Sequence, residues 1–340
     1  MVWLIDKSIA ILESLQHENG LFSASRKDVK TGYNLCWIRD TVYASLGMEA
    51  ARNIAGIVKT YRALLDLLLK HEYKIDWMIA QPHPKASFRY IHARYEPSSM
   101  KEICEDWGNK QNDAVGAVLF KIGELESKGI KIIRGSSDIC ILQKLVKYLE
   151  AIEYWHDADN GMWEENEEVH ASSIGACVAG LKAIAKVDGI DVPCQLIERG
   201  EAALQTLLPM ESATKETDLA LLSLIYPYNA VSQQQRDAIL KNVEEKLVRK
   251  KGVIRYAGDK YYNNNEAEAE WTFGFPWLAI IYKQLNNPEK HAHYARKTLE
   301  AANQNGEMPE LYYGGSDKHN ENSPLAWSQA MHIVAMMPEA

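Results

Sequence analysis

The 340-residue sequence lacks paired cysteines, long apolar runs, a basic surplus and phosphate-binding glycine loops. Its five cysteines (Cys36, Cys104, Cys140, Cys177, Cys194) are odd in number, widely spaced and never arranged Cys-x-x-Cys. That pattern predicts reduced thiols in a cytoplasmic protein and no structural zinc. With 38 Lys and Arg against 46 Asp and Glu, the net charge is −8. A nucleic acid or an anionic membrane would require a basic surface, so neither is an expected partner. No stretch approaches the length of a membrane span. The N-terminal Met1-Val2-Trp3-Leu4-Ile5-Asp6-Lys7-Ser8 meets charge too early to read as a secretory leader. Without a Gly-rich phosphate loop, nucleotide binding is not expected, and no cofactor is implied. Phenylalanine is also scarce, 5 residues against 17 Tyr and 9 Trp. Aromatics with a polar edge outnumber the purely apolar one, as in a sugar-lined cleft.

What is present is helical spacing. Apolar residues recur at helical intervals over Trp3–Leu15, after Asp40, over Ile54–Leu69 and from Ala114. The spacing continues near 138–155, 172–187, 193–208, 215–226, 232–248, 268–285, 288–304 and 324–337, which makes twelve helices. Asp40 is placed to cap the second of these. Residues 73–109, with Pro82, Pro84, Pro97 and many aromatics, read as one long ordered loop, and such loops are commonly functional. Lys251–Tyr262 is the one stretch that suggests a short hairpin. No Gly/Ser linker and no shift in composition divides the chain, so residues 1–340 are expected to form one all-α domain of successive antiparallel helix pairs.

Polar, aromatic-rich segments precede several helix starts: Tyr33–Asp40, Trp107–Asp113, Trp163–His170, Arg255–Glu270 and Met308–Leu325. In a closed ring of helix pairs, loops before alternate helices share one end, so these five would meet at one mouth. Within the third, Asp159-Asn160-Gly161 is a turn signal, followed by Trp163-Glu164-Glu165. A Trp face can stack on a pyranose, and a carboxyl beside it has its pKa raised toward general-acid use. The competing reading is a solvated acidic loop anchored by its Trp.

These segments, in this order, resemble the glucoamylase-type glycoside hydrolases of family 15 and the related domain of phosphorylase kinase regulatory subunits. Tyr33…Trp37-Ile38-Arg39-Asp40 resembles the segment whose Arg-Asp pair grips the non-reducing glucose. Trp107-Gly108…Gln111-Asn112-Asp113 resembles the loop whose Trp stacks near the scissile bond. Gly161-Met162-Trp163-Glu164-Glu165 is similar to the general-acid segment, with Glu164 the acid and Glu165 binding substrate. Arg255-Tyr256…Asp259 and Phe275-Pro276-Trp277 match a further sugar-binding stretch. Glu310 of Met308-Pro309-Glu310 falls where the base is carried, and Ser323-Pro324-Leu325-Ala326-Trp327-Ser328 resembles the start of the last helix.

The resemblance implies an (α/α)6 barrel and inverting hydrolysis of an α-linked gluco-oligosaccharide, with catalytic carboxyls roughly 6.5–9.5 Å apart. It also implies a substrate site of Tyr33, Trp37, Arg39, Asp40, Trp107, Trp163, Glu165, Arg255, Asp259 and Trp277. Trp107 and Trp277 have core burial as the competing reading, and Arg39–Asp40 a plain ion pair. Glu307 and Glu321 are rival bases ranked below Glu310. One departure stands out: Leu311-Tyr312 follows Glu310 where many active members carry Gln. There, in His170–Gly175 and in Leu221–Pro227 the chain resembles the kinase-regulatory branch, and a non-catalytic sugar-binding regulatory domain is the alternative function. Trp163-Glu164-Glu165 resembles the enzymes. His291 and His293, two apart on a helix, read as surface residues. Glu167, Glu168 and His170 complete no metal-ligand set, and no metal is expected.

Overall fold

Apolar residues at helical spacing are realised as helix along most of the chain. The structure, a computed structural model, describes residues 2–83, 86–105 and 107–338; Pro84 and Asp106 of the expected long loop lie outside them. Among the described residues the α-helices are α1 (Val2–Leu15), α2 (Ile38–Ala50), α3 (Ile54–Lys70), α4 (Glu72–Ala80), α5 (Asn112–Ser127), α6 (Ser136–Ala151), α7 (Ala171–Ile184), α8 (Cys194–Leu207), α9 (Gln233–Lys246), α10 (Gly274–Gln284), α11 (Pro288–Glu300) and α12 (Ala326–Met336). A 3₁₀ helix spans Leu219–Leu224.

Contacts between elements define two layers. α2, α5, α7, the 3₁₀ helix, α10 and α12 touch in that order, and α12 returns to α2, closing an inner ring. α1, α3, α6, α8, α9 and α11 lie outside it, each against an inner neighbour. The result is an (α/α)6 toroid. Burial follows the layers. Inner α7 is buried on nearly every face, whereas outer α8 buries only Leu196, Gly200 and Leu204. An all-round apolar helix belongs inside and an amphipathic one outside. α5 and α7 cross closely because glycines allow it. A Cβ at Gly116 would stand 2.5 Å from the Ala176 and Cys177 backbone, and one at Gly180 2.5 Å from the Gly116 carbonyl.

Three expectations are corrected. The 215–226 segment is a 3₁₀ helix, started by the Asp218 carboxylate accepting from Ala220 N and followed by Pro227, which cannot donate onward. Part of the supposed loop is helix, because α4 ends just before Gln81-Pro82 and the prolines begin after it. α2 starts at Ile38 with Trp37 at its N-cap, which leaves Asp40 inside the first turn instead of capping it.

No strand occurs in 251–262 among the described residues; Val253 makes isolated bridges to Val248 and Trp271. Five strands of two or three residues, too short to show alternation in sequence, do form. β1 (Cys36–Trp37), β2 (Arg94–Glu96) and β3 (Lys101–Glu102) pair in that order. β4 (Glu270–Trp271) pairs antiparallel with β5 (Leu311–Tyr312). Every inner element is preceded by a long connection, and all of these lie at the ring end that carries the inner N-termini.

Candidate active site

Those connections enclose a cavity of about 210 Å³. Thr31, Tyr33, Trp37, Arg39 and Asp40 reach it from the segment entering α2, and Arg94 and Trp107 from the segment entering α5. Met162, Trp163 and Glu164 come from the loop before α7. Arg255, Tyr261, Trp271 and Phe273 come from the long connection before α10, and Glu310, Leu325 and Trp327 from the one before α12. All five loops singled out in the sequence contribute.

Glu310 is fully buried, at 0% exposure. The β4–β5 ladder sets its position: Leu311 pairs with Trp271, and Thr272 N donates to the Glu310 carbonyl at 3.1 Å. Asn322 and Asn320 donate side-chain N–H groups to Oε2, the former at 2.8 Å, while Oε1 has no hydrogen-bond partner among the described residues. Burial raises this carboxyl's pKa, against the pull of Tyr33, Asn322 and Asn320. The rival carboxylates sit elsewhere. Glu307 pairs with Arg26 and accepts from Asn303, and Glu321 is exposed beside Tyr262. Neither lines the cavity.

Glu164 is different in kind. Its side chain keeps 23% exposure, and its backbone φ is +63°. Such a conformation costs a non-glycine residue about 1–3 kcal/mol and persists where surroundings impose it. The surroundings do so here. Asp159, read from the sequence as the start of a turn, is fully buried and accepts from Asn112 N at 2.8 Å and Ser173 Oγ at 2.9 Å, against the competing reading of a solvated loop. It also pairs with His170 Nδ1 at 2.9 Å. Asn160 accepts from Lys110 N and donates to the Glu165 carbonyl. Trp163 donates from Nε1 to Asp218 at 2.8 Å. Burial lifts the Glu164 carboxyl to about 7, with Arg39 lowering it and Asp40 raising it. Asp40 is itself raised to about 6, chiefly by burial.

The basic residues are held by carboxylates. Arg39 Nη1 grips both oxygens of Asp113 at 3.0 and 2.9 Å, and its Nη2 lies 3.4 Å from Glu164. Its ion-pair partner is therefore Asp113, not the adjacent Asp40. Arg255 is held by Asp259 at 2.7 and 2.6 Å and by Glu165 at 2.9 Å.

Three expected substrate residues stand off the cavity. Asp259 is buried behind Arg255, which it orients. Glu165 has both oxygens engaged by Arg255, Tyr256 and Lys215. Trp277 is a core residue with 0% exposure. It lies one helical turn beyond cavity-lining Phe273, with Nε1 satisfied by the Tyr226 carbonyl at 2.8 Å. The half-buried His291 bonds the Ala279 carbonyl, and His293 is exposed.

Sequence reasoning missed Arg94, Tyr261, Trp271 and Phe273, and quoted Trp327 only as part of a helix start. Tyr261 was discoverable two positions after Asp259, whereas Arg94 reaches the site through pairing of β1 with β2, which leaves no sequence signal. Six cavity-lining side chains carry a buried polar atom without a partner among the described residues. The atoms are Trp37 Nε1, Arg39 Nε, Arg94 Nε, Trp271 Nε1, Trp327 Nε1 and Glu310 Oε1. Buried polar groups are ordinarily satisfied, so such a concentration marks a place for a polar ligand or water.

Comparison with known proteins agrees with this architecture. The sequence model of the family described as "Glycosyl hydrolases family 15" matches residues 7–270. The mouse phosphorylase b kinase regulatory subunit alpha, liver isoform, is 27% identical over a 393-residue alignment covering 94% of this chain and 31% of that protein. This chain thus spans about a third of the length of the curated relatives it matches. A solved structure named "Glycosidase Wild Type" superposes with a TM-score of 0.83 at 18% identity, covering 98% of this chain and 95% of its own. A bacterial glucoamylase complexed with acarbose superposes at 0.73 and 16% identity, covering 98% of this chain and 55% of its own.

Proposed function

The chain belongs to glycosyl hydrolase family 15, and from that premise we propose that it is an inverting, exo-acting α-glucoside hydrolase releasing β-glucose from short α-glucans. The observation that carries the reading is one small cavity with two unlike carboxyls and a ring of unpartnered buried donors. A polyhydroxylated ring is the ligand chemistry that satisfies such donors. In this mechanism Glu164, lifted by burial to about 7 and so still partly protonated at neutral pH, gives its proton to the leaving glycosidic oxygen. Glu310 takes a proton from the attacking water through its free Oε1. Arg39 and Asp40 bind hydroxyls of the terminal sugar and hold it for attack. Tyr33, Trp37, Trp107 and Trp163 wall it in, and Arg255 is kept in place by Asp259 and Glu165. The volume, below the usual range for drug-sized ligands, suits a chain end over a long internal segment. Leu311, the departure beside the base, is buried in the β4–β5 ladder and does not line the cavity, which supports retained chemistry.

Maltose, isomaltose and trehalose, followed by NMR of the anomeric protons, test the reading. Initial appearance of β-glucose from at least one of them is the expected result. No glucose from any, or the α anomer first, sinks it.

A second reading is favoured by the curated relatives, which are kinase regulatory subunits. It is a sugar-binding regulatory domain that binds the same oligosaccharides without turnover. Saturable binding by calorimetry with no product after prolonged incubation would establish it over the first.

A further inference from the structure

Arg94 sits in the site unlike the other two arginines. Arg39 and Arg255 are each gripped by a buried carboxylate, Asp113 and Asp259. Among the described residues, the carboxylate that contacts Arg94 belongs to Glu105, whose side chain is 66% exposed. Water screens such a pair heavily, so the guanidinium charge stays available to a ligand. Arg94 itself is buried, lines the cavity and has an Nε–H without a partner among the described residues.

Its geometry is fixed. β1 and β2 place Arg94 directly across from Trp37, and the guanidinium lies 5.2 Å from the Trp37 ring and 4.6 Å from that of Trp107. A planar fork held against two indoles is pre-organised to donate paired hydrogen bonds, which a flexible ammonium is not.

Its place along the cavity follows from exposure. Glu310 is closed off from solvent, and Glu164 is the one of the two carboxyls that reaches it. A leaving group therefore exits past Glu164. The charge of Arg94 acts on Glu164, while that of Arg255 acts on Glu310.

We propose that Arg94 is the specificity-determining residue of the leaving-group side, donating to hydroxyls of a second sugar ring and so selecting sugar aglycones over apolar ones. The inference rests on the carbohydrate reading of the cavity given above.

The test is binding to the full chain, read by tryptophan fluorescence or calorimetry, with glucose, maltose and isomaltose as probes. The quantity of interest is the ratio of disaccharide to glucose affinity. In Arg94→Gln the ratio for the better disaccharide falls roughly ten- to hundredfold, the loss of one or two charge-assisted hydrogen bonds. In Arg94→Lys, which keeps charge without the stacked fork, it falls at least severalfold. A ratio unchanged in both variants, or equal losses for glucose and disaccharide, overturns the proposal. If Arg94→Gln fails to fold, Arg94→Lys decides alone by the same ratio. A wild type that binds these sugars and never releases glucose removes the hydrolase reading only. An unchanged ratio removes the Arg94 assignment only.

Discussion

At the scale of single residues, the site is organised by what burial does to ionisation. Glu164 at about 7 and Asp40 at about 6 are both raised chiefly by desolvation. On the proposed mechanism the rate requires Glu164 protonated, so activity falls as pH rises through about 7. A kcat/KM profile on a disaccharide should show that alkaline limb. Because the Asp40 charge raises Glu164, Asp40→Asn should move the limb to lower pH while also weakening catalysis; a limb that stays put or rises contradicts the electrostatic assignment. Glu164→Gln and Glu310→Gln should each lower kcat by roughly 100- to 10,000-fold, with unfolding midpoints near that of the wild type. Near-normal turnover in either variant takes that residue out of its role.

At the scale of elements, the loop that carries Glu164 is held from behind by buried polar groups. His170, paired with Asp159, has its pKa raised to about 9; burial lowers it, but the Asp159 bond and charge outweigh that. A histidine raised in the folded state stabilises fully below its unfolded value of about 6.5. That contribution is lost as pH climbs through 9. Stability from urea unfolding should therefore fall between about pH 6.5 and 9, and this part of the slope should vanish in His170→Ala. The same substitution strands Asp159 and should cost about 3–5 kcal/mol at neutral pH. A loss under 1 kcal/mol would mean that the pair does not hold the loop. The turn signal in Asp159-Asn160-Gly161 was legible in the sequence. Its burial was not, because partners such as Asn112, Ser173 and Lys110 come from other elements.

At the scale of the whole molecule, the inner ring closes only if neighbouring helices approach closely. Gly116→Val on α5 would press a branched side chain into the α7 backbone and should lower stability by about 1–3 kcal/mol or more. A calorimetric midpoint unchanged from wild type would show that the crossing tolerates it. Helical periodicity is a local pattern, and the sequence by itself determined from it the all-α class; the toroid and the two candidate carboxyls were legible only through the resemblance of the ordered Trp, Arg and Glu loops to a known family. Only the tertiary structure decided which aromatics line the cavity. Trp277 and Trp271 are chemically alike, yet one faces the core and the other the ligand space. It likewise decided that Arg39 pairs with Asp113 and that Arg94 belongs to the site. The physical reason is range. Spacing along the chain encodes which face of an element is apolar, whereas a site is made by side chains whose proximity exists only after the ring has closed.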